Sequence, residues 1–567
     1  MANQPLLDYR AFGIQAIYKS IGFTAKELSM PRIVIINSWS EQSPGHSHLR
    51  AVAEGVKAGI RMAGGMPVEI GVPGLCSVPH KFPRDMDYDM PQREAVLNAA
   101  EASLNITWCD GWVGIGSCDK IVPGIVLAAI RMNRPFMFLG GGQMMTAEWE
   151  GRKIGVVDGQ TVLREEISKI KDDPNYDKLI AEKMDQVSSC VGCSAGACGE
   201  LTTGNTMAVL TEGLGLSLPG SSTSPGVSAE KIWHAKATGE MIVELARRNI
   251  RPRDILTLSA MKNAIALDMA VAGGTNAVVH MQAYAHEAGI PLTLDMWDEI
   301  SRKVPAIANV APSGPHLLND FHKVGGAPAV MKRIRQYLDE SCLTVTGKTV
   351  KENLDQVKTV KSDVIRELDN PIWPEGAIAI LKGNLAPIGA AVRHTVITDK
   401  SLLKRTYTAR VFNSEQEAKD GIVAGKVGPG DAVVARYCGP RGGPAMTECL
   451  GVVNTLKNVG AKEVIVVSDG RFSGWTKGYL AIGYICPESQ TGAPLALVAE
   501  GDQIELDIPA RKITLLVSDE ELQKRRAKWQ PKDNSNAKGM LAMYAKLALQ
   551  TDRGAGWPIN MQDFESV

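Results

Sequence analysis

Three features of the chain predict a mixed α/β protein, with an N-terminal parallel-sheet α/β domain and a C-terminal β-barrel-like domain. Apolar β-branched runs alternate with amphipathic stretches through roughly the first two thirds of the sequence, the pattern of buried parallel strands joined by helices. Short strands bounded by Gly and Pro clusters fill the remainder. Between the two textures lies the break Asp369-Asn370-Pro371-Ile372-Trp373-Pro374, which divides the chain into residues 1–370 and 371–567. At 567 residues the chain exceeds one ordinary core, so size alone also points to two domains.

Residues 32–37 (RIVIIN) read as a buried parallel strand, and 49–63 as a helix, because apolar residues recur at 49, 52, 53, 56 and 60. Residues 111–116 form the next strand, 123–132 a helix, and 134–139 a further strand ending in Gly140-Gly141-Gly142. The charged segment 151–187 reads as a helical surface excursion, and 229–338 as a long helical stretch. In the second domain strands are expected at 377–381, 408–412, 431–436, 463–467 and 503–508. A last helix at 538–548 is placed to return to the first domain.

The 62 basic and 62 acidic residues cancel, which gives no reason to expect a nucleic acid or an anionic membrane as partner. No apolar run is long enough for a membrane span, and Met1-Ala2-Asn3-Gln4 lacks the basic start of a signal peptide. A reduced, cytoplasmic protein is therefore expected, and its ten cysteines are not expected to pair as disulfides. Only 5% aromatics with 56 Gly suggest closely packed small-residue interfaces, compatible with an oligomer.

Chemistry concentrates in a few motifs. Cys118-Asp119-Lys120 sets a soft thiolate, a hard carboxylate and a lysine side by side at the end of a strand, where two different metals could meet. By itself it also fits a buried cysteine beside a surface ion pair. Open α/β sheets gather ligands beyond the carboxyl ends of their strands, which favours a site. A second cysteine segment, Cys190-Val191-Gly192-Cys193-Ser194-Ala195-Gly196-Ala197-Cys198, carries small residues that let backbone approach an inorganic cluster. Its Cys190/Cys193 pair has the CxxC spacing of zinc sites, but no second pair follows to complete one. In the second domain, the Gly-Pro loop from Cys438 to Cys449 carries the carboxylate Glu448, and Ser468-Asp469-Gly470-Arg471-Phe472-Ser473-Gly474 puts Ser473 in a loop after a strand. Alone, these fit a turn with a solvated Glu and a polar surface serine as well as a site.

Taken in order, these motifs resemble the dihydroxy-acid dehydratase / phosphogluconate dehydratase family along nearly the whole chain. The matching stretches are Asn37-Ser38-Trp39 with Pro44-Gly45-His46-Ser47-His48-Leu49, Cys118-Asp119-Lys120, Gly196-Ala197-Cys198, Gly273-Gly274-Thr275-Asn276-Ala277, Leu381-Lys382-Gly383-Asn384-Leu385-Ala386-Pro387, Gly439-Pro440-Arg441-Gly442-Gly443-Pro444 and Asp469-Gly470-Arg471-Phe472-Ser473-Gly474. The resemblance implies a homodimer or homotetramer whose α/β and barrel domains enclose Mg2+ and an iron-sulfur cluster, with [2Fe-2S] the expected type and [4Fe-4S] the alternative. It implies Cys118 and Cys198 as cluster ligands, Asp119 and Glu448 as Mg2+ ligands, and a carbamylated Lys120 as a further metal oxygen. Ser473 would be the base. The implied reaction removes the C2 proton and the C3 hydroxide of a 2,3-dihydroxy acid, giving an enol that tautomerises to a 2-oxo acid.

Two positions depart from the family. Gly45 stands where many members place a third cluster cysteine, and Gly74 falls where a carboxylate Mg2+ ligand is expected. Cys76 is a candidate for the first loss, and one aspartate of Arg84-Asp85-Met86-Asp87-Tyr88-Asp89 for the second. His46, His48 and His80 are weaker candidates. Three readings follow: a dehydratase of branched 2,3-dihydroxy acids, a sugar-acid dehydratase giving a 2-oxo-3-deoxy acid, and a non-catalytic or redox-sensing paralogue with a degraded metal site.

Overall fold

The computed structural model describes residues 9–76 and 88–565. Strands β1 (Arg32–Asn37), β2 (Met66–Gly71), β3 (Gly111–Gly116) and β4 (Phe136–Gly140) form an all-parallel sheet in the order β2-β1-β3-β4. β1, β3 and β4 are buried along their whole length, as continuous apolar strands covered on both faces must be. Their cover includes the helix Leu49–Met62, which turns Leu49, Val52, Ala53, Val56 and Ile60 inward and packs on the helix Ala229–Arg248.

The helix after β3 runs Ile121–Met132, two residues longer at its start than the sequence pattern predicts. Pro123 therefore sits inside the first turn, where its missing N–H costs no helical hydrogen bond. The excursion 151–187 is not wholly helical: a hairpin of β5 (Ala147–Trp149) and β6 (Arg152–Ile154) precedes the helices Val156–Lys169 and Tyr176–Val191. The long helical stretch is likewise divided, because Asn249, Ala272 and Gly289 adopt left-handed backbone and cap successive helices.

The remaining strands are β7 (Ile378–Leu381), β8 (Gly389–Arg393), β9 (Lys404–Phe412), β10 (Asp431–Ala435), β11 (Ile465–Ser468), β12 (Leu480–Cys486), β13 (Gln503–Asp507) and β14 (Lys512–Leu515). They form one sheet in the order β14-β13-β9-β10-β11-β12-β8-β7, parallel from β9 to β12 and antiparallel elsewhere. The sheet nearly closes on itself: Lys382, just past β7, receives Ile513 N–H at 3.0 Å and donates its own N–H to Arg511 O at 3.0 Å. Strand alternation sorts the two faces. Ala432, Val434, Ile465 and Val467 point into the barrel core, whereas Val433, Ala435 and Val466 pack outward against the helices Glu415–Val423 and Leu450–Asn458. The last helix, Gly539–Leu547, does return to the first half, where Leu541 and Tyr544 join its core and Tyr544 Oη donates to Glu94 Oε1 at 3.3 Å.

Candidate active site

Both sheets deliver their chemistry at the carboxyl ends of parallel strands. Cys118-Asp119-Lys120 follows β3, the Glu448 loop follows β10, and the Ser473 loop follows β11. Cys198 arrives on a segment threaded beside the loop after β4, where Ala197 N donates to Gly142 O at 2.9 Å and Met144 N to Ala197 O at 2.7 Å. All six residues singled out from the sequence (Cys118, Asp119, Lys120, Cys198, Glu448 and Ser473) line one cavity of about 220 Å3.

The oxygen-rich side of the cavity is a buried ionic cluster. Lys120 is 1% exposed, and its Nζ lies 3.9 Å from Asp89 Oδ2 and 4.0 Å from Asp119 Oδ2, with no hydrogen-bond partner among the described residues. Burial, then the Arg471 charge, lowers its pKa from the ordinary lysine value. Arg471 forks between two carboxylates, donating to Asp89 Oδ2 at 2.6 Å and to Glu448 Oε2. Burial raises the pKa of Asp119 and Glu448, opposed chiefly by Lys120 in the first case and by Arg471 in the second. Among the described residues no three ligating groups converge on one point as they stand, and Arg471 lies between two of the carboxylates.

The sulfur side is held by backbone contacts. His46 accepts Cys118 N–H on Nε2 at 3.1 Å, and its Nδ1 lies 2.6 Å from Ser38 O, so the ring is the neutral Nδ1–H tautomer. Burial pushes its pKa down to about 4. His48 is also occupied, with Nε2 at 2.8 Å from Gly141 O. Both histidines thus support loops. Asn205 donates to Cys198 O at 2.5 Å and Glu200 O at 2.8 Å, fixing the turn that presents Cys198. Burial raises the thiol pKa of Cys198 well above normal, and the neighbouring Cys76 thiol with burial does the same to Cys118. Cys190 and Cys193 hang on Glu148 O and Met145 O, away from the cavity wall.

Ser473 is 9% exposed and faces the cavity from the second half of the chain. Asn276, within the Gly-Gly-Thr-Asn-Ala motif, donates to Phe472 O at 2.8 Å and to Thr203 Oγ1 at 3.1 Å. Arg393 holds Gly474 O at 2.7 Å and Thr476 O at 3.0 Å. The sequence pattern flagged Asn276 only as part of a motif and gave no signal for Arg393 or Arg471 as partners of this loop and cluster. Gly74 cannot carry a ligand in this fold, since a Cβ there would stand 1.7 Å from Ser38 O. Of the acid-rich stretch, Asp89 reaches the cavity, while His80, Arg84, Asp85 and Asp87 lie outside the described residues. No helix among the described residues is long and apolar enough to cross a membrane.

Profiles described as Dihydroxy-acid/6-phosphogluconate dehydratase N-terminal and C-terminal match residues 30–353 and 363–555. The chain is 43% identical over 543 residues to a dihydroxy-acid dehydratase of Ignicoccus hospitalis, covering 95% of this chain and 96% of that one. It is 42% identical over 544 residues to the dihydroxy-acid dehydratase of Acetivibrio thermocellus, covering 95% and 96%, and to that of Pyrococcus abyssi, covering 95% and 97%. With profiles matching most of both halves and relatives 42–43% identical over 95% of its length, the chain belongs to the dihydroxy-acid/6-phosphogluconate dehydratase family and is a hydro-lyase.

Proposed function

We propose that the chain converts a 2,3-dihydroxy carboxylic acid to a 2-oxo acid, most like dihydroxy-acid dehydratase. The observation that carries this reading is the convergence of Cys118, Asp119, Lys120, Cys198, Glu448 and Ser473 on one cavity. The donors fit the expected cofactors by chemistry: thiols suit an iron-sulfur cluster, and the carboxylates of Asp119, Glu448 and Asp89 suit Mg2+. Bound there, these groups would supply Lewis acidity to the departing C3 hydroxyl and to the carboxylate and C2 hydroxyl of the substrate.

Ser473 is the base in this scheme. Its Oγ, as the alkoxide, takes the C2 proton, the C2–H electron pair forms the C2=C3 bond, the C3–O pair leaves with oxygen as hydroxide and departs as water after protonation, and the enol tautomerises to the 2-oxo acid. A serine hydroxyl is a weak acid, so its alkoxide needs positive charge close by, which a bound divalent ion would supply. Lys120 is suited to carbamylation, because a buried amine with a lowered pKa and no hydrogen-bond partner is a better nucleophile toward carbon dioxide. Asp89, Asp119, Glu448, Lys120 and Arg471 carry three negative and two positive charges. Turning the ammonium into a carbamate adds two negative charges, which a divalent ion would offset, so modification and metal binding favour each other.

Leu75, Leu450 and Trp475 on the cavity wall favour a short branched acid. A sugar acid is the second reading, favoured by Gln92, Gln160 and Asn454 on the same wall, which could pair additional hydroxyls. A cytoplasmic homodimer or homotetramer remains our expectation, with exposed Phe12, Ile17, Ile106 and Trp108 offering apolar surface. The test is anaerobic purification with iron, sulfide and magnesium analysis, then a 2-oxo-acid assay on branched dihydroxy acids and aldonates. Ser473→Ala should abolish turnover and leave the cluster spectrum unchanged; retained turnover would remove Ser473 from the role of base.

A further inference from the structure

We propose that Cys76 is a third thiolate ligand of the iron-sulfur cluster, taking the place that Gly45 leaves without a side chain. The inference rests on the cluster-bearing reading above. Cys76 lies on the cavity wall with Cys118 and Cys198, and its thiol is within hydrogen-bonding reach of the Cys118 thiol. Three sulfur atoms from three separate segments therefore share one cavity: the loop after β2, the loop after β3 and the segment beside the loop after β4.

The backbone of Cys76 is pinned, and by the very loop that lacks a thiol. Gln42 accepts Cys76 N–H on Oε1 at 3.1 Å and donates from Nε2 to Cys76 O at 3.3 Å, closing a two-bond clamp on that peptide. Gln92 accepts the preceding N–H, that of Leu75, at 3.2 Å. On the same loop as Gln42, a Cβ added at Gly45 would meet Cys118 Sγ at 2.9 Å and Ser117 Cβ at 3.3 Å. As folded, the loop leaves no room for a side chain at 45 and instead fixes a cysteine from the neighbouring segment beside Cys118.

Three other candidates among the described residues are committed elsewhere. Both ring nitrogens of His46 are used by backbone groups, and Cys190 and Cys193 are tied to carbonyls away from the cavity wall. The ligand count also suits the chemistry. A [2Fe-2S] cluster has about four terminal positions, so three thiolates would leave one iron position open to a substrate oxygen.

The experiment is anaerobic reconstitution of the full-length wild type, Cys76→Ala, Cys76→Ser and the control Cys193→Ala, with iron and acid-labile sulfide measured per chain and the cluster followed by visible absorption and electron paramagnetic resonance. Circular dichroism and melting of each apoprotein check folding, and Cys76→Ser serves if the alanine variant does not fold. Wild type and Cys193→Ala should carry the same cluster. The Cys76 variants should lose at least about tenfold in cluster affinity, or show a changed resonance spectrum at equal iron content. A folded Cys76 variant with wild-type iron, sulfide and spectrum overturns the proposal alone. Wild-type protein that takes up neither iron nor sulfide overturns the cluster reading and this proposal with it.

Discussion

Asn276→Ala is expected to slow turnover by releasing the loop that carries Ser473. The side chain is fully buried and donates to two acceptors, Phe472 O at 2.8 Å and Thr203 Oγ1 at 3.1 Å. Each acceptor keeps a longer contact after the change: Phe472 O still receives Tyr484 Oη at 3.3 Å, and Thr203 Oγ1 still receives Gly474 N–H at 3.3 Å. The loss therefore belongs near the low end of the range for a buried group losing its partner, about 1 kcal/mol per bond, or about 2 kcal/mol together. If most of it is felt when Ser473 must be held against the C2 proton, kcat falls about 10- to 30-fold. Steady-state kinetics with the best substrate of the panel measures this, alongside the melting temperature. Asn276→Asp keeps the volume but cannot donate, so it should not rescue. Recovery of kcat to within about twofold of wild type in either variant would refute the tether and leave Asn276 a packing residue.

Two further predictions use other parts of the cavity wall and its support. Lys231 is buried with Nζ donating to Gly140 O and Ser221 O, both at 2.7 Å, and burial pushes its pKa down to about 7. Between pH ~7 and the unfolded value near ~10.4 the unfolded chain holds the extra proton, so this residue adds stability as pH rises, by at most about 1.4 kcal/mol per pH unit. The difference in denaturant stability between wild type and Lys231→Met should thus widen from pH 7 to pH 9; a constant difference would remove Lys231 from the pH dependence. Asp89→Asn takes one carboxylate from Arg471 and from the proposed Mg2+ site. Mn2+ binding followed by electron paramagnetic resonance should weaken by at least about tenfold, whereas unchanged affinity would limit Asp89 to pairing Arg471.

In the first sheet β1, β3 and β4 were legible as unbroken apolar runs, and the helix Leu49–Met62 because its buried residues repeat at helical spacing, whereas β2, interrupted by Pro67 and Glu69, was not. Strands β8 and β12 escaped notice: GAAVR is mostly Gly and Ala, whose strand preference is weak, and LAIGYIC is interrupted at its centre by Gly483, where its pairing with β8 becomes irregular. The site was legible in its parts. Cys118-Asp119-Lys120 lies beyond a strand end, where the α/β rule puts ligands, but Cys198, Glu448 and Ser473 have no local pattern tying them to it, and the ordered family motifs supplied that link. Arg471 could not be anticipated as the bridge of two carboxylates, because its partners Glu448 and Asp89 are 23 and 382 residues away in sequence. Contacts of that range are set by docking, which local periodicity does not record.

Docking of the two halves is also what makes the site chemical. Asp89, Asp119 and Lys120 come from the first half, while Glu448, Arg471 and Ser473 come from the barrel. The seam between them is polar and buried: Arg471 to Asp89, Asn276 to Phe472 O, Gly474 N–H to Thr203 Oγ1, and Arg393 to Gly273 O. A seam of apolar residues would hold the halves together as well, because buried ion pairs seldom add net stability over well-packed hydrophobic side chains. What the polar seam adds is register. Arg471 meets Asp89 and Glu448 together only when the two halves dock in one orientation, and that orientation brings Ser473 onto the same cavity as Cys118 and Lys120. Substitutions at uncharged seam contacts such as Asn276 should therefore act chiefly on turnover, whereas a substitution in the barrel core such as Ile482→Ala should act chiefly on stability, at a cost of roughly 2–5 kcal/mol.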